Sequence, residues 1–140
     1  MDRHGADGYC SVYGCCCAEG DYIYVFGGHI GVNDAVALVE RYSIIDNAWE
    51  NLSDMKEWRS GHCAVAGPGS DIYIAGGDYV YSFEIFDTTS LLWNTEGTSP
   101  HDIPRKGDAV AVLLKDQYLV VIGGFDEDQD ATADSFIYDS

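Results

Sequence analysis

Asp21-Tyr22-Ile23-Tyr24-Val25-Phe26-Gly27-Gly28 is the stretch that decides how this chain folds. Five consecutive β-branched or aromatic residues run into a glycine pair, and the arrangement returns twice. Asp71-Ile72-Tyr73-Ile74-Ala75 leads into Gly76-Gly77, and Tyr118-Leu119-Val120-Val121-Ile122 leads into Gly123-Gly124. Successive doublets are 49 and 47 residues apart. A period in this range marks one supersecondary unit copied along the chain. Runs of this composition, bounded by turn residues, predict strands.

The neighbours of each doublet repeat as well. Val39-Glu40-Arg41-Tyr42, Phe83-Glu84-Ile85-Phe86 and Ser135-Phe136-Ile137-Tyr138 each follow a polar stretch and end in an aromatic residue. Trp49 and Trp93 lie seven residues beyond the first two of these aromatics. Upstream of the second and third doublets, Arg59-Ser60-Gly61 matches Arg105-Lys106-Gly107, and small-residue runs follow at 63–66 and 109–112. Each repeat therefore predicts four short strands, a to d, with small residues on the crowded innermost strand a. No stretch carries a sustained 3.6-residue apolar period, so the expected fold class is all-β.

Doublet, aromatic, Trp and spacing recurring together closely resemble kelch repeats, from about Ser11 onward. Val39-Glu40-Arg41-Tyr42, Trp49, Leu52, Met55 and Arg59 follow that family's pattern position by position. The resemblance implies a β-propeller whose blades are four-stranded antiparallel sheets. Its signature residues here are Gly27, Gly28, Tyr42, Trp49, Gly76, Gly77, Phe86, Trp93, Gly123, Gly124 and Tyr138. They are expected to hold blades together: glycines where backbones approach closely, aromatics between stacked sheets. Repeats are expected at about 13–55, 56–100 and 101–140, the last truncated, with residues 1–12 unassigned. Propellers close with four to eight blades, so about three blades make an incomplete ring, and self-association through open blade faces is expected.

The chain has 140 residues and a net charge of −17, from 7 basic and 24 acidic residues. Phosphate binding rests on Lys and Arg, so this balance argues against nucleic acid and anionic membranes as partners. The five cysteines, three of them consecutive, do not form a disulfide framework. Cys15 to Cys17 align with Ala64 to Ala66 and read as small apolar residues of strand a. With no secretory leader and no membrane-length apolar run, the expected setting is cytoplasmic.

Few residues suggest chemistry. Asp126, Asp128 and Asp130 have the spacing that opens a calcium loop, but Ala131 and Ile137 stand where an EF-hand needs Gly and Glu. Gly67-Pro68-Gly69-Ser70-Asp71 reads as a turn rather than a phosphate loop. His4, His29, His62 and His101 lack metal-ligand spacing; His29 and His62 could approach one rim. No nucleophile, base and orienting group are suggested together, so no catalytic, metal or cofactor site is expected.

The resemblance implies a protein- or peptide-binding module, an interaction scaffold or a substrate-recognition domain. In such propellers the b–c and d–a loops commonly face the partner. Here they are roughly 29–36, 78–80 and 125–133 for b–c, and 51–58 and 97–104 for d–a. His29, Arg59, Asp78, Arg105 and Asp126 are the tentative contacts, with Arg59 and Arg105 at positions from which kelch adaptors reach acidic peptides. For both arginines the alternative is a structural role, satisfying backbone carbonyls between blades. Ubiquitin-ligase adaptors of this kind also carry a BTB or F-box segment, so that role would belong to a longer parent. The rival readings are a fragment of a kelch-propeller enzyme, galactose oxidase-like or mutarotase-like, and a truncated non-functional product.

Overall fold

The computed structural model describes residues 13–31, 34–78, 80–94, 107–126, 128 and 130–139. The first repeat forms β1 (Cys15–Glu19), β2 (Tyr22–Phe26), β3 (His29–Ile30), β4 (Asp34–Ala35), β5 (Val39–Ser43) and β6 (Ala48–Asn51). The second forms β7 (Cys63–Ala66), β8 (Asp71–Ala75), β9 (Phe83–Asp87) and β10 (Leu92–Asn94). The third forms β11 (Val110–Leu114), β12 (Tyr118–Ile122) and β13 (Ser135–Asp139). No helix occurs among the described residues, and none is long and apolar enough to cross a membrane.

The strands assemble into three antiparallel sheets, ordered β1-β2-β5-β6, β7-β8-β9-β10 and β11-β12-β13. These are blades 1, 2 and 3 of a partial propeller. The hairpin β3-β4 is an addition within the b–c loop of blade 1. Innermost strands β1, β7 and β11 stand side by side, where small side chains let three sheets converge.

Strand alternation sends successive side chains to opposite faces, and blade 2 uses both. Ile72, Ile74 and Phe86 pack with Tyr24, Phe26 and Val39 of blade 1. Tyr73, Ala75, Phe83 and Ile85 pack with Leu119 and Val121 of blade 3. Phe26 and Phe86 meet edge to face at 6.1 Å between centroids, and Phe83 lies 4.6 Å from the Tyr138 ring. Burying each such side chain stabilises by about 1.5–3 kcal/mol. Trp93 turns toward blade 1, against Phe26 and Phe86, and its indole N–H donates to the Ser53 carbonyl at 3.0 Å.

Two sequence expectations need correction. Tyr42 and Trp49 pack on each other, 5.3 Å between centroids, on the face of blade 1 turned away from blade 2, so Trp49 is 37% exposed rather than wedged between sheets. The repeat alignment of strand a also slips by one. Cys15 pairs with Phe26 and Cys63 with Ala75, each just before its doublet, so Cys15 corresponds to Cys63 and Cys16 to Ala64. The longer a–b turn at Gly67-Pro68-Gly69-Ser70 absorbs the extra residue. By the same register Gly61 matches Asp108.

The glycine doublets answer to a close approach. A Cβ on Gly27 would sit 2.5 Å from the Arg59 carbonyl oxygen, and one on Gly77 would sit 2.9 Å from that of Ser60. Both glycines have positive φ, +52° and +116°, a region that disfavours side chains.

Candidate functional site: the rim groove of blade 1

The segment joining β6 to β7 runs back along the b–c loop of blade 1 and is zipped to it. Leu52 N–H donates to the Val39 carbonyl (2.8 Å), Met55 N–H to Ala37 (2.8 Å) and Arg59 N–H to Val36 (3.1 Å). Val36 N–H in turn donates to Gly28 at 2.9 Å. Met55 is buried beneath this junction. Above it lies an open groove of about 810 Å³, lined by Ile30, Asp34, Ala35, Val36, Ala37, Leu38, Asp54 and Trp58. Its lining is mostly apolar and includes two carboxylates, Asp34 and Asp54. Trp58 is 71% exposed, far more than a Trp held for packing needs.

A buried charge cluster fixes that wall from below. Glu84, on β9, accepts from the backbone N–H of Lys56 at 2.7 Å and of Glu57 at 3.3 Å. The Arg59 guanidinium lies against the same carboxylate, Nε at 3.1 Å and Nη2 at 3.0 Å. Nη1 donates to the carbonyls of Gly76 (2.7 Å) and Ser82 (2.8 Å), and Nη2 also donates to Ser82 Oγ (2.8 Å). The guanidinium thereby makes four hydrogen bonds and an ion pair, and Arg59 has 0% exposure. Burial pulls its pKa down, while the Glu84 carboxylate opposes that shift. Trp58 thus sits one residue from an anchored arginine, on a segment with little freedom to move.

The other sequence-predicted contacts are spread along the rim. Asp78 N–H donates to the Ser60 carbonyl (2.9 Å) and its carboxylate accepts from Ser60 Oγ (3.0 Å), pinning the lead-in to strand a. His29 lies in β3 with its ring edge-on to Tyr13, 5.9 Å between centroids. Asp126 accepts from the backbone N–H of Asp128 and of Asp130, each at 3.0 Å, which closes the acidic b–c loop of blade 3 on itself. Arg105 lies outside the described residues. His62 is buried beneath Gly27 rather than open to the rim. Burial, then the charge of Arg59, push its pKa down to about 4. Among the described residues no three His, Cys, Asp or Glu side chains gather as a metal-binding group.

Sequence reasoning missed Glu84 and Trp58. Glu84 repeats Glu40 in the first copy, but its partners come from the segment leading into β7, 25 to 28 residues away. Trp58 fell at the end of a predicted loop, with nothing in its own neighbourhood to say that it faces outward.

Comparisons with known proteins agree with this architecture. Residues 11–56 match the model of the Kelch motif. A protein of Arabidopsis thaliana described as an F-box/kelch-repeat protein is 36% identical over 93 residues, which cover 61% of this chain and 23% of the relative. The chain therefore spans less than a quarter of the length of that relative. Glycine doublets at a fixed period, stacked antiparallel blades, the match to the motif and the similarity to a kelch-repeat relative together support a kelch-repeat architecture for the chain.

Proposed function

We propose that this chain recognises a protein partner through the groove on the rim of blade 1, with Trp58 as the anchoring side chain. Kelch repeats and an F-box/kelch relative support a protein-interaction module in general; the finer reading is a substrate-recognition domain without catalytic chemistry of its own. Exposure of Trp58 carries the proposal. A large aromatic left open on an anchored segment, beside Leu38 and Val36, matches the make-up of an interface hot spot. Asp34 and Asp54 in the groove lining favour a partner segment with apolar side chains and Lys or Arg among them. The four described cysteines are all unpaired, which supports a reducing, cytoplasmic setting.

Quantitative co-purification with the wild-type chain and with Trp58→Ala tests the proposal. Trp58 is exposed, so the variant should keep its urea midpoint within about 0.5 kcal/mol of wild type. Partners that use the groove should bind it at least about tenfold more weakly, the loss of about 1.4 kcal/mol. If Trp58→Ala retains every partner of the wild type, the groove is not the recognition surface.

A further inference from the structure

We propose that the groove takes an arginine side chain of the partner protein, its guanidinium stacked on the Trp58 indole and its N–H edge paired with the carboxylates of Asp34 and Asp54. The inference rests on the groove being the recognition surface, and it names the side chain that this surface selects. The partner is therefore basic at its point of contact, the reverse of the acidic peptide that an open Arg59 would have taken. Arg59 itself has 0% exposure.

Charge is the first argument. The groove lining holds two carboxylates and no basic side chain. Among the described residues the ion pairs are Arg41 with Glu50 and Arg59 with Glu84, so neither Asp34 nor Asp54 is neutralised within the fold. Lys56 shares the wall segment but forms no ion pair with either. Nothing beneath the groove opposes a cation. Arg59 and Glu84 cancel each other at 3.0 Å, and His62, with its pKa pushed down to about 4, is uncharged at neutral pH. The net charge of −17 adds an attraction felt within a screening length of about 10 Å at 0.1 M salt. An apolar anchor seated here would strand two charges beside it and strip their hydration.

Trp58 supplies the other half of the site. Trp93 is committed to Phe26, Phe86 and the Ser53 carbonyl, and Trp49 to Tyr42. Trp58 makes no ring contact or hydrogen bond among the described residues, and 71% of it is exposed. The face of an indole attracts a cation more strongly than that of Tyr or Phe. Arginine suits this face better than lysine does. Its guanidinium is planar and weakly hydrated, so it stacks on the ring while its N–H fork meets a carboxylate with two bonds. A lysine ammonium is a strongly hydrated point charge that gains only the attraction. The aliphatic stem of the arginine would lie along Val36 and Leu38, as such stems do on apolar surface. At about 810 Å³ the groove falls within the size range of small-ligand sites, roughly 300–1,000 Å³.

The blocked tripeptide acetyl-Gly-Arg-Gly-amide is the probe, titrated to about 20 mM so that millimolar affinity is covered. Its binding is read by NMR from the Trp58 indole N–H resonance, which Trp58→Phe identifies by its loss. That resonance should shift saturably while the Trp93 indole resonance stays in place. The lysine counterpart should bind at least about threefold more weakly, and the uncharged norleucine counterpart should leave the resonance where it is. Asp34→Asn with Asp54→Asn, both at exposed positions, should weaken arginine binding at least about tenfold. In the wild type, raising NaCl from about 0.02 M to about 0.5 M should weaken it too. An unmoved Trp58 resonance, equal binding of the lysine or norleucine peptide, or an Asn double variant that binds as well as wild type would each overturn the proposal. The recognition role of the groove fails separately, by Trp58→Ala keeping every protein partner. Partners lost from Trp58→Ala yet kept by the Asn double variant would leave the groove as the recognition surface and remove the arginine.

Discussion

At the scale of single residues, Arg59 shows how a motif position can be both conspicuous and closed to partners. Its charge suggests a partner contact, yet the guanidinium is buried and bonded inside the fold, to Glu84, Gly76 and Ser82. Removing one member of a buried pair leaves the other uncompensated, at a cost of about 3–5 kcal/mol. Glu84→Gln and Arg59→Ala are both expected to lower the urea midpoint by that order. The Glu84 variant carries a further consequence, because its carboxylate also holds the backbone of Lys56 and Glu57. Amide exchange in segment 52–58 should therefore quicken more in Glu84→Gln than global destabilisation alone accounts for. Equal loss of protection throughout the molecule would mean that Glu84 does not anchor the groove wall. Lys at position 59 would supply one point charge in place of a planar fork, and it should recover little of the lost stability.

Among the elements, strands were legible because their signals are local. Alternating apolar faces and a glycine doublet lie within eight residues of each other, so β2, β8 and β12 fall where the sequence placed them. The hairpin β3-β4 was read as loop, since two-residue strands have no periodicity to detect. The outward turn of Tyr42 and Trp49 was equally hidden: a sheet's two faces look alike in sequence when both are apolar. Blade 2 makes the difference measurable. Ile72 has 0% exposure between blades 1 and 2, whereas Ile137 is 62% exposed on blade 3. Ile72→Ala is expected to cost about 2–5 kcal/mol in chemical denaturation. Ile137→Ala should cost less than about 0.5 kcal/mol in the monomer, as exposed substitutions do. Similar losses at both positions would contradict the stacking order. The groove was half legible. Its loops were placed by their position between strands, but its Trp anchor depends on how two repeats zip together.

For the molecule as a whole, shape and charge pull in different directions. Apolar blade faces favour association, while 24 acidic against 7 basic residues favour separation. Among the described residues only two ion pairs form, Arg41 with Glu50 and Arg59 with Glu84. Most carboxylates therefore face one another through solvent. Two unit charges 10 Å apart in water repel by about 0.4 kcal/mol, and the screening length is about 10 Å at 0.1 M salt. Many such terms add up, so compaction of the chain is opposed at low ionic strength. Raising NaCl from about 0.02 M to about 0.5 M should thus increase unfolding stability by on the order of 1 kcal/mol. Urea midpoints read at each salt concentration supply the measurement. Chloride with sodium or potassium should act alike, because screening depends on ionic strength. A midpoint flat across that range would mean the acids lie too far apart to repel.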